Sequence, residues 1–191
     1  LSLKNTSFRI YRGETLVYSD FGEMLFTHFG LSGPVVLSGS AFVKPDDRIV
    51  LDLKPALTEK QLDTRILSDF QKYINKNFSN ALSDLLPAKM IPVFIDLSGI
   101  PPEIKVHEIS KTQRKTLIGL FKAFSLTVEG LRPLEEAIVT SGGVSVKEID
   151  AKTMQSKIVN NLYFAGEVLD VDAYTGGFNL QIAFSTAYAA A

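Results

Sequence analysis

Two neighbouring stretches near the C-terminus decide how this chain is read: Asn161-Leu162-Tyr163-Phe164-Ala165-Gly166-Glu167-Val168-Leu169-Asp170, and then Thr175-Gly176-Gly177-Phe178-Asn179-Leu180-Gln181. The first reads as a short buried strand that delivers a small residue, a glycine and a carboxylate to its carboxyl end. In open α/β sheets that end is where ligands bind. Glycine lets the backbone approach a ligand closely. The second reads as a double-glycine lead into an apolar helix. Uncovered amides at a helix start, together with the helix dipole, favour negative charge or carbonyl oxygens. No phosphate-cradling glycine loop precedes these stretches.

Moving outward, Ala137-Ile138-Val139-Thr140 reads as a short strand running into Ser141-Gly142-Gly143, and Val144 to Ile149 as a return strand. Further upstream the pattern changes to helices. Thr58-Glu59-Lys60-Gln61 and Ser110-Lys111-Thr112-Gln113 match capping boxes. Leu62, Ile66, Phe70 and Tyr73 follow the first at helical spacing, and Leu117, Leu120 and Phe121 follow the second. A shorter helix is expected over 85–97, starting near Pro87. The N-terminal segment alternates as strands do: 2–12, 15–18, 21–27 and 48–53, with a short helix from Pro34. Phe124 to Leu131 alternates as a further strand. The fold class expected is α+β.

The chain has 191 residues, 46% hydrophobic and 21% charged, enough for a core of ordinary composition. A net charge of −1 argues against a partner bound through a uniformly basic surface, so no nucleic acid is expected. With no cysteine, thiol catalysis and thiolate metal sites are excluded. The histidines, His28 and His107, lie too far apart in sequence to suggest a metal site. No apolar run reaches the length of a membrane span and no signal peptide is visible, so a cytoplasmic protein is expected. The start at Leu1 fits either a trimmed tail or a cut inside a longer protein.

Two long motifs carry a resemblance. The C-terminal pattern from Val139-Thr140-Ser141-Gly142-Gly143-Val144 to Gln181 resembles the FAD-binding C-terminal segment of the BaiN-like NAD(P)/FAD-dependent oxidoreductases, also known as the aminoacetone oxidase family. Upstream, Phe26-Thr27-His28-Phe29-Gly30-Leu31-Ser32-Gly33-Pro34 is similar to a signature of that family's inserted domain. The resemblance implies a barrel-like, mostly antiparallel insert over 1–56 and 122–136, and a helical subdomain over 57–121. It also implies that 137–191 is the C-terminal part of a Rossmann-like FAD-binding domain. It further implies FAD as cofactor, NAD(P)H as a hydride source and a small-molecule substrate. Gly166 and Glu167 would hold the ribityl side of the flavin. Amides at Gly176, Gly177 and Phe178 would face its pyrimidine edge. Gly142, Gly143, Asp170 and Asn179 would complete the cofactor contacts.

His28 would be the catalytic residue, placed for proton transfer near neutral pH. The family's Gly-x-Gly-x-x-Gly fingerprint is absent from these residues. A partner is therefore implied, the N-terminal half of the FAD site from the same polypeptide, and this chain alone is expected to hold FAD weakly. An exposed strand would also allow a homo-oligomer. Two other readings stay open: a non-catalytic interaction domain whose glycine turns are structural, and a nucleotide-binding protein without redox chemistry.

Overall fold

A computed structural model describes residues 1–174 and 176–191. The chain divides into two compact units, Leu1–Glu129 and Gly130–Ala191. Among the described residues, no helix is long and apolar enough to cross a membrane.

The first unit is built on one curled, antiparallel half-barrel sheet. Its strands are β1 (Ser2–Arg12), β2 (Thr15–Phe26), β3 (Leu31–Ser32), β4 (Arg48–Asp52) and β5 (Phe124–Thr127), in the order β3-β2-β1-β4-β5. β1 and β2 form a long hairpin closed by Gly13 in the left-handed region (φ 58°). Two irregularities in their register, at Leu3/Thr6 and at Ile10/Tyr11, bend the sheet. The residues expected to form two strands over 15–27 make one continuous β2, because β1 is long enough to pair with all of it. β5 ends at Thr127, short of the expected Leu131. Its last link is a backbone exchange between Val128 and the Asp46–Asp47 turn.

Helices cover one face of this sheet. They are α1 (Pro34–Ser40), α2 (Glu59–Lys72), α3 (Ile91–Ser98) and α4 (Lys111–Lys122). α2 and α4 start where their capping boxes place them. The Gln61 amide donates to Thr58 Oγ1 (3.3 Å) and the Thr58 amide donates to Gln61 Oε1 (2.9 Å); Ser110 and Gln113 repeat the pattern. α3 begins at Ile91 rather than near Pro87. Residues 88–90 form a 3₁₀ turn, and Pro92 occupies the first helical turn, where its missing N–H costs nothing. Sheet and helices share a single core in which Phe8, Phe78, Phe94 and Phe121 are fully buried. Phe94 stacks on Phe124 with ring centroids 5.7 Å apart. Lys122 ties α4 to the sheet: it pairs with Asp52 and donates to the carbonyls of Lys54 (3.2 Å) and Leu57 (2.8 Å).

The second unit holds one α-helix, α5 (Phe178–Ala190), among turns. The strands expected over 137–140, 144–149 and 161–165 do not form. Single bridges stand in their place, at Val144–Leu169, Ile149–Ser156 and Gln155–Tyr163. A strand needs a run of partners; 161–165 finds one, 137–140 none, and 144–149 one at each end, to two different segments. Tyr163, in the segment expected as a buried strand, stays exposed, and so does Ile138. A small core of Ile149, Met154 and Leu169 packs with Val144, Phe164 and Val171.

Candidate functional site

The glycine turns of the second unit converge on α5. Gly143 has φ 139°, and a Cβ there would meet the Val168 carbonyl oxygen at 2.5 Å. That closeness lets the Val144 amide donate to Val168 O (2.8 Å) and the Asp170 amide to Val144 O (2.9 Å). The Gly142-Gly143 turn and the Asp170 turn are thus one structure, joined through the backbone. Gly166 (φ 73°) starts a 3₁₀ turn over Gly166–Val168 and donates its amide to Thr186 Oγ1 of α5 (2.9 Å). Ala183 Cβ would lie 3.8 Å from an added Cβ at Gly166, so the turn rests directly on the helix. Glu167 and Asp170 are exposed.

α5 starts at Gly177, which is left-handed (φ 89°) and bears no side-chain cap. Its first backbone bond runs from the Gln181 amide to Gly177 O (3.0 Å). The amides of Phe178, Asn179 and Leu180 are therefore left without a helical acceptor. Space beside Gly142 and Gly177 is open: an added Cβ would meet nothing within 4 Å. Asn179 has a different task. Its Oδ1 accepts from the Ala173 amide and its Nδ2 donates to the Ala173 carbonyl, both at 2.8 Å. That side chain is spent on pinning the preceding loop to the helix. Thr175 lies outside the described residues. Nearby, amides of Lys152 and Thr153 donate to the Asp150 carboxylate and hold its pKa below the usual range.

Thr186 was invisible to sequence reasoning. Its signal is a hydroxyl in a helix where alanine would otherwise serve, twenty positions beyond the glycine it supports. α5 itself is apolar, yet none of its described residues is buried; Leu180, Phe184 and Tyr188, spaced at one helical turn, are 63%, 71% and 88% exposed.

His28 belongs to the first unit. It sits in the exposed turn between β2 and β3, where Thr27 and Gly30 close the loop through Thr27 N–H and Oγ1 to Gly30 O (2.8 and 2.9 Å). Its ring meets Phe29 edge to face, with centroids 5.1 Å apart. Gly33, which follows, carries φ 98° and lies against β2, where an added Cβ would stand 2.9 Å from Met24 Cα. It is the hinge that turns β3 into α1. His107 is exposed and meets Ile74 O through Nδ1 (3.0 Å).

A half-barrel sheet fused to a capped helical layer is the pattern of a known family. Residues 1–139 match the HI0933-like protein barrel and H2TH domain. The chain belongs to that family. The family is part of the FAD-dependent oxidoreductase superfamily. Three curated relatives match most of the chain. The ribosomal RNA dihydrouridine synthase of Haemophilus influenzae is 38% identical over 173 residues, 91% of this chain and 42% of that protein. Its Escherichia coli namesake is 33% identical over 169 residues, 88% of this chain and 41% of that protein. The 3-dehydro-bile acid delta(4,6)-reductase of Clostridium scindens is 30% identical over 184 residues, 93% of this chain and 45% of that protein. The chain thus spans less than half the length of these relatives.

Proposed function

We propose that this chain forms one wall of a flavin site, together with its covering domain, in an FAD-dependent reductase. One observation carries the reading: the start of α5 follows two positive-φ glycines, Gly176 and Gly177, has no side-chain cap and has open space beside Gly177, on a helix that leaves Leu180, Phe184 and Tyr188 in solvent. Bare amides suit the electron-rich pyrimidine edge of a flavin, and an apolar helix face left in water suits a covering domain. The cover proposed is the dinucleotide-binding half of the same polypeptide, which holds the pyrophosphate.

FAD, when bound, supplies the hydride, having received it from NAD(P)H. The chain's own residues orient and protonate. Amides at Gly176, Gly177 and Phe178 would hold the pyrimidine edge. Glu167 would accept from ribityl hydroxyls, and the backbone bonds of Val144 with Val168 and Asp170 fix the loop that follows it. His28 delivers a proton from its exposed turn. The reaction class is reduction of a carbon–carbon double bond conjugated to a carbonyl. Hydride adds at the β carbon, a proton adds at the α carbon, and NAD(P)H is oxidised. Uridine and a 3-keto steroid diene both carry such a bond, so the relatives' names describe one chemistry on two carriers. The site of action proposed is the cytoplasm.

The test is the visible spectrum of the protein purified from its complete reading frame, with the chromophore released by denaturation and identified. FAD is expected at near one per chain. Gly177→Val fills the open space with a branched side chain in a left-handed position and should cut FAD content at least tenfold. A colourless protein that takes up no added FAD overturns the reading.

A further inference from the structure

Leu180, Phe184 and Tyr188 give α5 one exposed apolar stripe. A second stripe, Asn179, Ala183, Thr186 and Ala190, follows the four-three-four spacing of a single helix face, and each of its members is half-buried. Ala190 packs against the small core of the second unit. Ala183 faces Gly166. Asn179 clamps Ala173. Thr186 accepts from the Gly166 amide at 2.9 Å.

Helix physics alone does not account for a threonine at this place. Its neighbours along the helix include Ala183, Ala187, Ala189 and Ala190, and alanine is the better helix former. The Thr186 hydroxyl donates back to the Ile182 carbonyl (2.8 Å), with the Ala183 carbonyl at 3.1 Å. Back-bonds of this kind slightly destabilise a helix. A hydroxyl has one proton to give. With that proton spent inside α5, the oxygen is left as an acceptor, and the Gly166 amide is what it receives.

The effect reaches beyond Gly166. That residue is left-handed (φ 73°) and opens the 3₁₀ turn Gly166–Val168. The Leu169 amide closes the turn onto Gly166 O (3.2 Å), and Val168 O accepts from the Val144 amide (2.8 Å). Among the described residues, the bond to Thr186 is the single hydrogen bond from this turn to α5. One hydroxyl therefore stands behind Glu167 and, through Val168, behind the segment that follows Gly142 and Gly143.

We propose that Thr186 is a positioning residue of the flavin site, whose hydroxyl fixes the Gly166–Val168 turn where Glu167 can meet the ribityl hydroxyls. The proposal rests on the flavin reading above and adds a residue that acts on the cofactor only through this turn. Glu167 and Val168 are exposed, so in the empty protein a turn released from Thr186 can shift until the Gly166 amide finds water. A flavin seated against the turn excludes that water and forbids the shift. The cost of the unmatched amide then falls on cofactor binding.

The experiment strips flavin from the full-length protein and titrates FAD back, following the quenching of flavin fluorescence. Thr186→Val keeps the branched shape and loses the acceptor; Thr186→Ser keeps the acceptor. The valine variant should bind FAD roughly tenfold more weakly, with serine close to wild type. Amide hydrogen exchange over 163–169 should slow when wild type binds FAD, and valine should remove most of that slowing. Thr186→Ala, which loses the hydroxyl while favouring the helix, repeats the test where valine disturbs α5. Wild-type affinity in the valine or alanine variant overturns the proposal. So does a serine variant as weak as valine, since that marks packing and not the hydroxyl, and so does exchange over 163–169 that FAD leaves unchanged. A wild type that takes up no FAD sinks the flavin reading itself, whereas one that binds FAD beside an unaffected valine variant sinks only the role of Thr186.

Discussion

Replacing Gly33 by alanine should destabilise the first unit far more than a glycine-to-alanine change ordinarily does. Two separate costs combine there. The backbone sits at φ 98°, ψ 168°, a region that L side chains rarely enter, worth about 1–3 kcal/mol. The added Cβ would also meet Leu25 Cδ1 at 2.7 Å, Met24 Cα at 2.9 Å and Glu23 O at 3.2 Å. The leucine methyl can swing away. The two backbone atoms cannot move so freely, because they belong to β2, where Met24 is paired with Leu3 of β1, and overpacking of that kind costs about 1–3 kcal/mol more. A total of about 2–6 kcal/mol is expected, which in a unit of this size lowers the melting temperature by about 7–21 °C. Gly99→Ala is the matched control. Its φ is 63° and an added Cβ meets nothing within 4 Å, so only the left-handed penalty of about 1 kcal/mol applies. Both variants are compared by calorimetry and by urea unfolding followed through far-ultraviolet dichroism. If Gly33→Ala costs no more than Gly99→Ala, the close approach to β2 does not hold the hinge, and the account of the β3–α1 turn is wrong.

Two further changes test other parts of the fold. Thr58→Ala removes the hydroxyl that accepts from the Gln61 amide and should cost about 1 kcal/mol, read as a lower urea midpoint at constant slope. Asp47, buried beneath Arg12, has its pKa held below its ordinary 3.8, first by hydrogen bonds from Arg12 and then, against the opposing effect of burial, by the Lys44 amide. A carboxylate with a lowered folded-state pKa contributes stability that is fully present above the unfolded value and lost as pH falls through the folded one. Asp47→Asn should therefore be less stable than wild type at pH 7, and the gap should close as pH drops below about 3.8; a gap that stays constant down to about pH 2 counts against the pairing.

What could be read from sequence follows a physical line. α2 and α4 were legible because their starts are written locally, in a hydroxyl and an amide three positions apart with apolar residues one turn on. β1, β2 and β4 were legible because one face is buried and alternation records that. The second unit was harder to read. Ala137 to Thr140 and Tyr163 to Ala165 have strand composition, but composition cannot say whether a partner strand runs beside them, and each finds at most a single bridge. The glycines at 142, 143, 166 and 177 were recognised as turns, and all four have positive φ. Their supports were not recognised. Thr186 holds Gly166 from α5, and Asn179 clamps Ala173, a task that spends the side chain the resemblance assigned to cofactor.

The second unit also bears on why a ligand and a cover belong together there. Among its described residues three hydrophobic side chains are buried, Ile149, Met154 and Leu169, while Phe178, Leu180, Phe184 and Tyr188 are left in solvent on the one helix. So small a core contributes little against the entropy of ordering the chain. The Gly166 turn is held to α5 by one hydrogen bond and the Ala173 loop by two, so anything that steadies α5 steadies them as well. A surface that covers the apolar face of α5 and a cofactor that fills the glycine turns would then each stabilise the arrangement the other requires. Binding of either raises the apparent affinity for the other, as linkage demands. On this reading the exposed apolar helix and its uncapped glycine start are two halves of one device: the cofactor site becomes complete only when the helix is covered.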